Sequence, residues 1–379
     1  QADAVILTEQ DGSVNDPELR AQDFYDANGF GLGSNRSGVI LYINMETRDV
    51  VACASGETKY VLLNTDLDTV IDAGYDVVVV DDLETGFRKA VHPGAKFFQG
   101  DIRDEAFINS VFDAEPVDVV IHFAANSQVG ESMKKPLQYY DNNLNGTCTL
   151  LRSMVAHEVK HIVFSSTAAT YGEPEHIPIF ETDATHPTNC YGETKLAMER
   201  MFYWTEQAHG IRYVALRYFN ACGAHPSGSI GEAHDPETHL IPIVLQVPQG
   251  KRELVNIFGD DYDTCDGTCV RDYIHVCDLA AAHIRAAEYL LSGGKSDVFN
   301  LGNGVGFTVR EIIQAAERVV RNRIPCHIAP RRAGDPAQLV ASSEKARRVL
   351  GWQPQYTALE DIIDSAWKWH KEHPNGYNT

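Results

Sequence analysis

From Tyr75 onward the chain alternates between two rhythms of apolar residues. Short apolar runs bounded by polar residues read as buried strands: Tyr75-Asp76-Val77-Val78-Val79-Val80-Asp81, Lys96-Phe97-Phe98, Val117-Asp118-Val119-Val120-Ile121-His122, His161-Ile162-Val163-Phe164 and Tyr213-Val214-Ala215-Leu216. Between them lie helical stretches over Asp104 to Asp113, about Pro136 to His157, and the segment that holds Tyr191. Strands alternating with helices predict an α/β fold with a doubly wound parallel sheet. Ligands of such sheets lie at the carboxyl ends of the strands. Asp81, Asp101, Phe123 to Asn126, Ser165 to Thr167 and Phe219-Asn220 all fall just after strand runs, so one crevice can gather them.

The first 72 residues follow a different pattern. Val5-Ile6-Leu7-Thr8 predicts a short strand, Asp16-Pro17-Glu18 opens a helix with a capping Asp and Pro at its first position, and Gly29 to Arg36 is glycine-rich. Gly38-Val39-Ile40-Leu41-Tyr42-Ile43 and Asp49-Val50-Val51-Ala52-Cys53 predict a hairpin. Through Asp23-Phe24-Tyr25, Asn28-Gly29-Phe30-Gly31-Leu32-Gly33 and Ser37-Gly38-Val39-Ile40-Leu41-Tyr42, this stretch resembles the first half of a TPM domain, a small α/β module. No catalytic residue is carried over from that resemblance. At Ala73-Gly74 the second pattern begins, which predicts three parts: residues 1 to 72, a nucleotide-binding part from 73 to 223, and a smaller α/β part from 224 to 379 with segments returning to the sheet.

Composition narrows the partners. With 379 residues and 44% hydrophobic content the chain can bury a sizeable core, and a formal charge of −21 argues against nucleic acid or an anionic membrane surface. No apolar run is long enough to span a bilayer and Gln1 onward shows no charged-then-apolar leader, so a cytoplasmic protein is expected. Eight scattered cysteines read as reduced thiols, and Cys265 and Cys269 lack His or Cys partners at metal spacing, so no metal is expected.

The candidate chemistry sits in Asn189-Cys190-Tyr191-Gly192-Glu193-Thr194-Lys195. A tyrosine and a lysine four residues apart share one helix face, so the ammonium can stand beside the phenol. A cation there favours the phenolate and would bring the phenol from its usual value near about 10 towards neutrality. Such a group can take a proton from a sugar hydroxyl and give it back.

From Tyr75 to the C-terminus the chain resembles the UDP-glucose 4-epimerases of the extended short-chain dehydrogenase group, whose fold is Rossmann-like. The motifs that carry the resemblance are Asp81-Asp82-Leu83, Gly100-Asp101-Ile102-Arg103-Asp104, His122-Phe123-Ala124-Ala125, Tyr139-Tyr140-Asp141-Asn142-Asn143, Phe164 to Gly172, Tyr191 to Lys195, Arg217-Tyr218-Phe219-Asn220, Asp266-Gly267-Thr268 and Val270-Arg271-Asp272-Tyr273-Ile274-His275.

The resemblance implies NAD as cofactor and UDP-glucose and UDP-galactose as substrates, in a homodimer. It places Asp81 and Asp82 at the adenosine ribose, with Asp81 favouring NAD over its 2′-phosphorylated form. Asp101 and Ile102 flank the adenine; Phe123, Ala124, Ala125, Ser127, Asn142, Ser165 and Phe219 line the rest of the cofactor. Tyr191 is then the acid–base, Lys195 the cation that also grips the nicotinamide ribose, and Thr167 the hydroxyl that bridges the sugar O4 and the phenol. Asn220, His239, Leu240, Asn256, Phe258, Arg271, Arg332 and Asp335 contact the uridine diphosphate and sugar, the two arginines being suited to bidentate phosphate contacts. Leu339 takes the position whose bulk decides whether an N-acetyl group fits at C2. A related activity, nucleotide-sugar 4,6-dehydration, is disfavoured because Ala168 and Ala169 follow Thr167 where acidic residues are needed.

The departure lies just before Asp81. The family's first strand runs into closely spaced glycines whose backbone approaches the pyrophosphate, yet no glycine stands between Gly56 and Gly74 here. Aligned backwards, the first strand and turn fall at Lys59-Tyr60-Val61-Leu62-Leu63-Asn64-Thr65-Asp66; alternatively Asp49 to Ala54 serves as that strand, with Ser55-Gly56 as its turn and Glu57 to Asp72 as its helix. Two functional readings follow. The chain is either a working epimerase or a cofactor-deficient, epimerase-like fusion that binds UDP-sugars without turnover.

Overall fold

The structure, a computed structural model, describes residues 76–332 apart from Asp235, residues 335–377, and the backbone of four earlier strands at 4–9, 38–44, 50–55 and 59–62. It divides into two compact units, Gln1–Thr58 and Lys59–Thr379. In the first, β1 (Ala4–Glu9) pairs parallel with β2 (Gly38–Asn44), and β2 pairs antiparallel with β3 (Val50–Ser55). The predicted hairpin is therefore present, while the helix expected at Asp16 and the glycine-rich loop at 29–36 lie outside the described residues.

The second unit carries the doubly wound sheet. Its strands are β4 (Lys59–Leu62), β5 (Asp76–Asp81), β6 (Lys96–Gln99), β7 (Val119–His122), β8 (His161–Thr167), β9 (Arg212–Tyr218) and, much later in the chain, Asp297–Leu301. All pairings among them are parallel. The strand that opens the sheet is β4, with Tyr60 opposite Val77 of β5 on one side and Val119 of β7 on the other. The alternative first strand at Asp49 to Ala54 is excluded, because β3 closes the three-stranded sheet instead. From β4 the chain winds outward through β5 and β6, then returns to build β7, β8 and β9 on the other side. That reversal is the switch point where a crevice opens at the strand ends.

The valine run of β5 explains why the sheet is covered on both faces. Val77 and Val79 enter one core while Val78 and Val80 enter the other, as the two-residue period of a strand demands. Each such side chain contributes about 1.5 to 3 kcal/mol when fully buried. One face is covered by α1 (Glu105–Ala114), α2 (Gly146–Ala156) and α3 (Cys190–His209), through Ile108, Leu150, Met198 and Phe202 among others. The expected helix from Pro136 to His157 is one helical path in which Tyr140–Asn145 is wound more loosely ahead of α2.

After β9 the chain passes through Phe219 into β10 (Asn220–Cys222) and leaves the sheet. The smaller lobe contains α4 (Leu240–Gln246), β11 (Val255–Phe258) and β12 (Val270–His275). Then α5 (Val276–Leu291) covers the second sheet face with Leu279, Ala282, Ala286 and Leu290, and β13 (Asp297–Leu301) joins the sheet beside β9. The rest of the lobe is β14 (Gly306–Thr308), α6 (Val309–Val320), β15 (Cys326–Ala329), β16 (Gln338–Leu339), α7 (Glu344–Leu350) and α8 (Leu359–Glu372). Its core is formed by Ile241, Val244, Ile257, Ile312, Ala316, Ile362 and Ala366. The tail helix expected at Leu359 to His370 is thus a packed element, with Trp369 only 1% exposed.

Candidate active site

Thr167 ends β8, and Tyr191 stands in the first turn of α3. The helix starts there because the Asn189 side chain accepts a hydrogen bond from the Gly192 N–H at 2.8 Å. A Cβ at Gly192 would lie 2.5 Å from the Ala169 carbonyl oxygen, so glycine lets the helix start press against the loop after β8. This approach sets the Thr167 side chain, which accepts from the Ala169 N–H at 3.2 Å, close enough to the Tyr191 phenol to favour its charged form. The Tyr191 N–H donates to Ser132 Oγ at 3.1 Å, fixing the residue from its other side.

Lys195 is 2% exposed. Its Nζ donates to the Ser165 carbonyl at 2.8 Å and lies 4.8 Å from the Phe164 ring centroid and 5.9 Å from that of Tyr191. Burial pulls its pKa down to about 7, against the partial support of the Glu199 carboxylate. The spacing predicted that this ammonium would hold the Tyr191 pKa down. Burial instead pushes the phenol well above its ordinary value, with the nearby Tyr218 adding to the rise and the Thr167 side chain opposing it.

The helix face gives the two side chains a common direction, with the ammonium over the phenol ring and its hydrogen bond spent on the Ser165 carbonyl.

At the other end of the crevice, Asp81 closes β5 and accepts from the Leu83 N–H at 2.7 Å. Burial raises its pKa beyond what that hydrogen bond offsets, the condition in which a carboxylate gains most from another donor such as a ribose hydroxyl. A Cβ at Gly86 would fall 2.6 Å from this carboxylate, so the loop closes tightly over it. Asp82 is exposed and accepts from the Glu84 N–H at 2.9 Å. Asp101 lies nearby, since the Gly100 N–H bonds the Asp81 carbonyl at 3.1 Å. Its carboxylate is engaged by Arg103 at 2.6 to 3.0 Å, and the Arg103 hydrogen bonds hold its pKa down. The Ile102 side chain is buried against Gly146 at the start of α2.

After β7, Phe123, Ala124 and Ala125 are partly accessible and Ser127 is exposed. The Asn142 side chain donates to Asn143 Oδ1 at 3.2 Å, and the fully buried residue is Asn143. Asn143 accepts from the Asn126 N–H at 2.7 Å and donates to Thr194 Oγ1 at 3.0 Å, tying the β7 loop to α3. Sequence reasoning singled out Asn142 and missed this role, although both stand in the Tyr139-to-Asn143 motif. It also missed Tyr218, whose hydroxyl bonds that of Ser165, and the buried Arg217–Glu199 pair that anchors Ser166. Phe219 is half-buried between β9 and β10.

In the smaller lobe the β12–β16 register sets Leu339 beside Arg271, whose guanidinium pairs with Asp335 at 2.7 Å. The Arg332 guanidinium lies 4.0 Å over the Phe258 ring. Asn220 starts β10, His239 caps α4 and Leu240 begins it, while the Asn256 side chain is exposed on β11.

Thus the structure gathers Thr167 with Tyr191 and Lys195, Asp81 with Asp101, Arg271 with Asp335 and Leu339, and Phe258 with Arg332. The carboxylate at the end of β5, the switch point beside β4 and the buried lysine after β8 form a donor set that fits a dinucleotide.

This arrangement defines a dinucleotide-dependent enzyme of the Tyr-x-x-x-Lys type. Residues 67–302 match the NAD dependent epimerase/dehydratase family, and the chain belongs to it. It is 59% identical over 310 residues to a UDP-glucose 4-epimerase of Halalkalibacterium halodurans, covering 82% of this chain and 92% of that protein. A UDP-glucose 4-epimerase from Brucella ovis solved with NAD superposes with a TM-score of 0.79 at 42% identity, covering 82% of this chain and 97% of that one. One from Bifidobacterium longum, solved with NAD+ and UDP, gives 0.79 at 40% identity over 84% and 100% of the two chains. Among the described residues no helix is long and apolar enough to cross a membrane.

Proposed function

We propose that the chain interconverts UDP-glucose and UDP-galactose by inverting C4, with NAD held along the carboxyl edge of the sheet. The observation that carries this reading is buried Lys195, held on the Ser165 carbonyl at 2.8 Å with its ammonium 5.9 Å from the Tyr191 ring centroid and Thr167 at the end of the same strand. When bound, NAD supplies reversible hydride chemistry, so that the net reaction is an isomerisation. Tyr191 takes the proton of the sugar O4 and later returns it, and Thr167 holds that oxygen against the phenol. Burial opposes loss of the phenolic proton, so Tyr191 depends on charge arriving in the crevice. An anionic dinucleotide favours the charged form of Lys195, and that cation in turn favours the phenolate. Asp81 accepts from the adenosine ribose, while Asp101, already held by Arg103, offers an acceptor edge near the adenine.

Arg271 and Arg332 bind the diphosphate, with Phe258 as an apolar wall for the uracil. Asn220, His239, Leu240, Asn256 and Asp335 complete the substrate contacts, and Leu339 sets the room available at C2. This remote anchoring keeps the oxidised sugar in place while it turns over. The test is to supply UDP-galactose and NAD to the purified chain and read UDP-glucose with a coupled dehydrogenase. Folded protein that forms none contradicts the proposal.

A second reading rests on the absence of glycine between Gly56 and Gly74: UDP-sugars bind, but NAD is held too weakly to be retained. Protein that carries bound NAD through purification, seen in its absorbance, contradicts this reading. The TPM-like pattern then marks an appended module that ends by Thr58, since β4 at Lys59–Leu62 already belongs to the sheet of the enzyme.

We also infer a homodimer formed through α2 and α3. Trp204 is 67% exposed beside a groove lined by Cys148, Leu151, Val155, Ala197 and Met201, an apolar surface a second copy of the same helices would cover.

A further inference from the structure

Between β10 and α4, away from the sulfur residues that sequence reasoning weighed for metal, four ligating side chains converge. Glu232, His234, Glu237 and His239 each bring one oxygen or nitrogen atom to within 4.8 Å of the other three. Glu232 Oε1 lies 2.8 Å from His239 Nδ1 and 3.2 Å from His234 Nδ1, and His239 Nδ1 lies 3.0 Å from Glu237 Oε1. We propose that this loop is a structural binding site for a divalent transition-metal ion of the zinc type, with these four side chains as ligands.

Hydrogen bonding alone accounts poorly for the arrangement. His239 Nδ1 carries at most one hydrogen, yet stands at hydrogen-bond distance from two carboxylate oxygens, so only one of the contacts is a well-aligned bond. If both imidazoles were charged to pair with Glu232, two cationic rings would stand with centroids 4.8 Å apart and planes tilted by 50°. A shared cation removes both difficulties. Ligand atoms about 2.0 to 2.2 Å from a tetrahedral zinc ion stand about 3.3 to 3.6 Å from one another, so an ion would spread the three contacts of 2.8 to 3.2 Å slightly and draw in the rest of a set that spans 4.8 Å.

The charges agree with that assignment. The Glu232 and Glu237 side chains are 16% and 7% exposed, so two carboxylates lie close together with little water to separate them. One dication neutralises both and leaves the imidazoles in the neutral form in which they ligate.

The loop is also held in place before any ion is considered. The Trp369 Nε1–H of α8 donates to the Glu232 carbonyl at 2.9 Å, and the Tyr377 hydroxyl accepts from the Gly231 N–H at 3.0 Å. A Cβ at Gly231 would lie 2.2 Å from the Trp369 ring, so only glycine allows this approach. At the other end Glu237 accepts from the Thr238 and His239 N–H groups at 2.7 and 2.8 Å, orienting its carboxylate. Four protein ligands leave no open coordination position, which makes the ion structural rather than catalytic. Its effect is to clamp α8 and the loop to the start of α4, where His239 and Leu240 stand.

The test measures metal and not turnover, so its outcome is separate from that of UDP-sugar interconversion. The full chain, without a histidine tag, is stripped with chelator, loaded with Zn2+ or Co2+, desalted and analysed by elemental mass spectrometry. One ion per chain is expected, with visible bands of four-coordinate cobalt. His234 is exposed and outside the substrate set, so His234→Ala should leave the fold intact while lowering affinity at least about tenfold in competition with a chromophoric chelator. Glu237→Gln should do the same. Failure of the parent chain to hold stoichiometric metal would overturn the proposal. So would equal binding by the parent and His234→Ala, which would show an adventitious ion only.

Discussion

The two ends of the crevice differ in how much water they exclude. Around Tyr191 and Lys195 the charged forms are penalised by burial, strongly enough to bring the lysine to about 7 and to push the phenol upward. Around Asp81 and Asp101 the groups are partly exposed, one accepting from backbone and the other paired with Arg103. Low-dielectric surroundings magnify every charge that enters, so the buried end is where proton transfer is controlled. The wetter end is the one proposed to recognise and hold the cofactor. A defect at the first should therefore remove turnover with binding kept, and a defect at the second should weaken cofactor binding.

The largest effect belongs to the buried end. Tyr191→Phe removes the oxygen proposed to exchange the O4 proton, and turnover should fall by about 10² to 10⁴-fold while UDP-sugar affinity, read by calorimetry, stays nearly constant. Full activity in that variant would place the acid–base elsewhere.

Next comes the cofactor's phosphate end. On the second reading, in which two backbone donors to the pyrophosphate are lacking, hydrogen bonds worth about 1.5 to 3 kcal/mol each are lost and NAD is weakened by about 10²-fold or more. NAD should then not copurify stoichiometrically, whereas the main reading is met by protein that retains it. Replacing residues 1 to 72 with a glycine-bearing strand-turn-helix should tighten binding by that factor, and submicromolar affinity in the parent chain would remove the contrast between the ends.

A smaller effect is the pH dependence of stability. The folded chain holds the Lys195 proton less tightly than the unfolded chain, where lysine titrates near about 10.4. Unfolded chains therefore bind more protons between about pH 7 and 10, and stability rises with pH across that window as the buried charge is lost. Lys195→Met should remove that rise, on the order of 1 to 4 kcal/mol, in denaturant melts of the cofactor-free protein. An identical pH profile for both proteins would mean that Lys195 keeps an ordinary pKa. The smallest effect concerns specificity. Leu339 is neither as bulky as tyrosine nor small, so glucose and galactose should be preferred by about tenfold over their N-acetylated forms, within the range that pocket size provides. Kinetics favouring the N-acetylated pair would contradict this.

Much of this was legible before the structure. The four valines of β5, the strand-ending Asp81 and the helix that holds Tyr191 each follow from local chemistry, and each is found where the pattern puts it. What escaped depends on contacts distant in sequence. The place of β4 between β5 and β7 rests on pairing, because four residues carry too little periodicity to distinguish it from β3. Helix spacing set Lys195 on the face of Tyr191 but not its rotamer, which reaches the Ser165 carbonyl. Likewise the capture of Asp101 by Arg103 and the bridging role of Asn143 are properties of folded neighbours, not of spacing.

The central claim is that C4 is inverted by removing and returning its hydrogen as hydride, with Tyr191 handling only the O4 proton. Running the reaction in D2O and following the sugars by NMR tests this most directly. A hydride that never leaves the closed crevice does not exchange with solvent, so the account predicts that UDP-glucose and UDP-galactose reach the same mixture from either side with no deuterium at C4. Solvent deuterium at C4 would mean that the carbon itself is deprotonated, and would contradict the account.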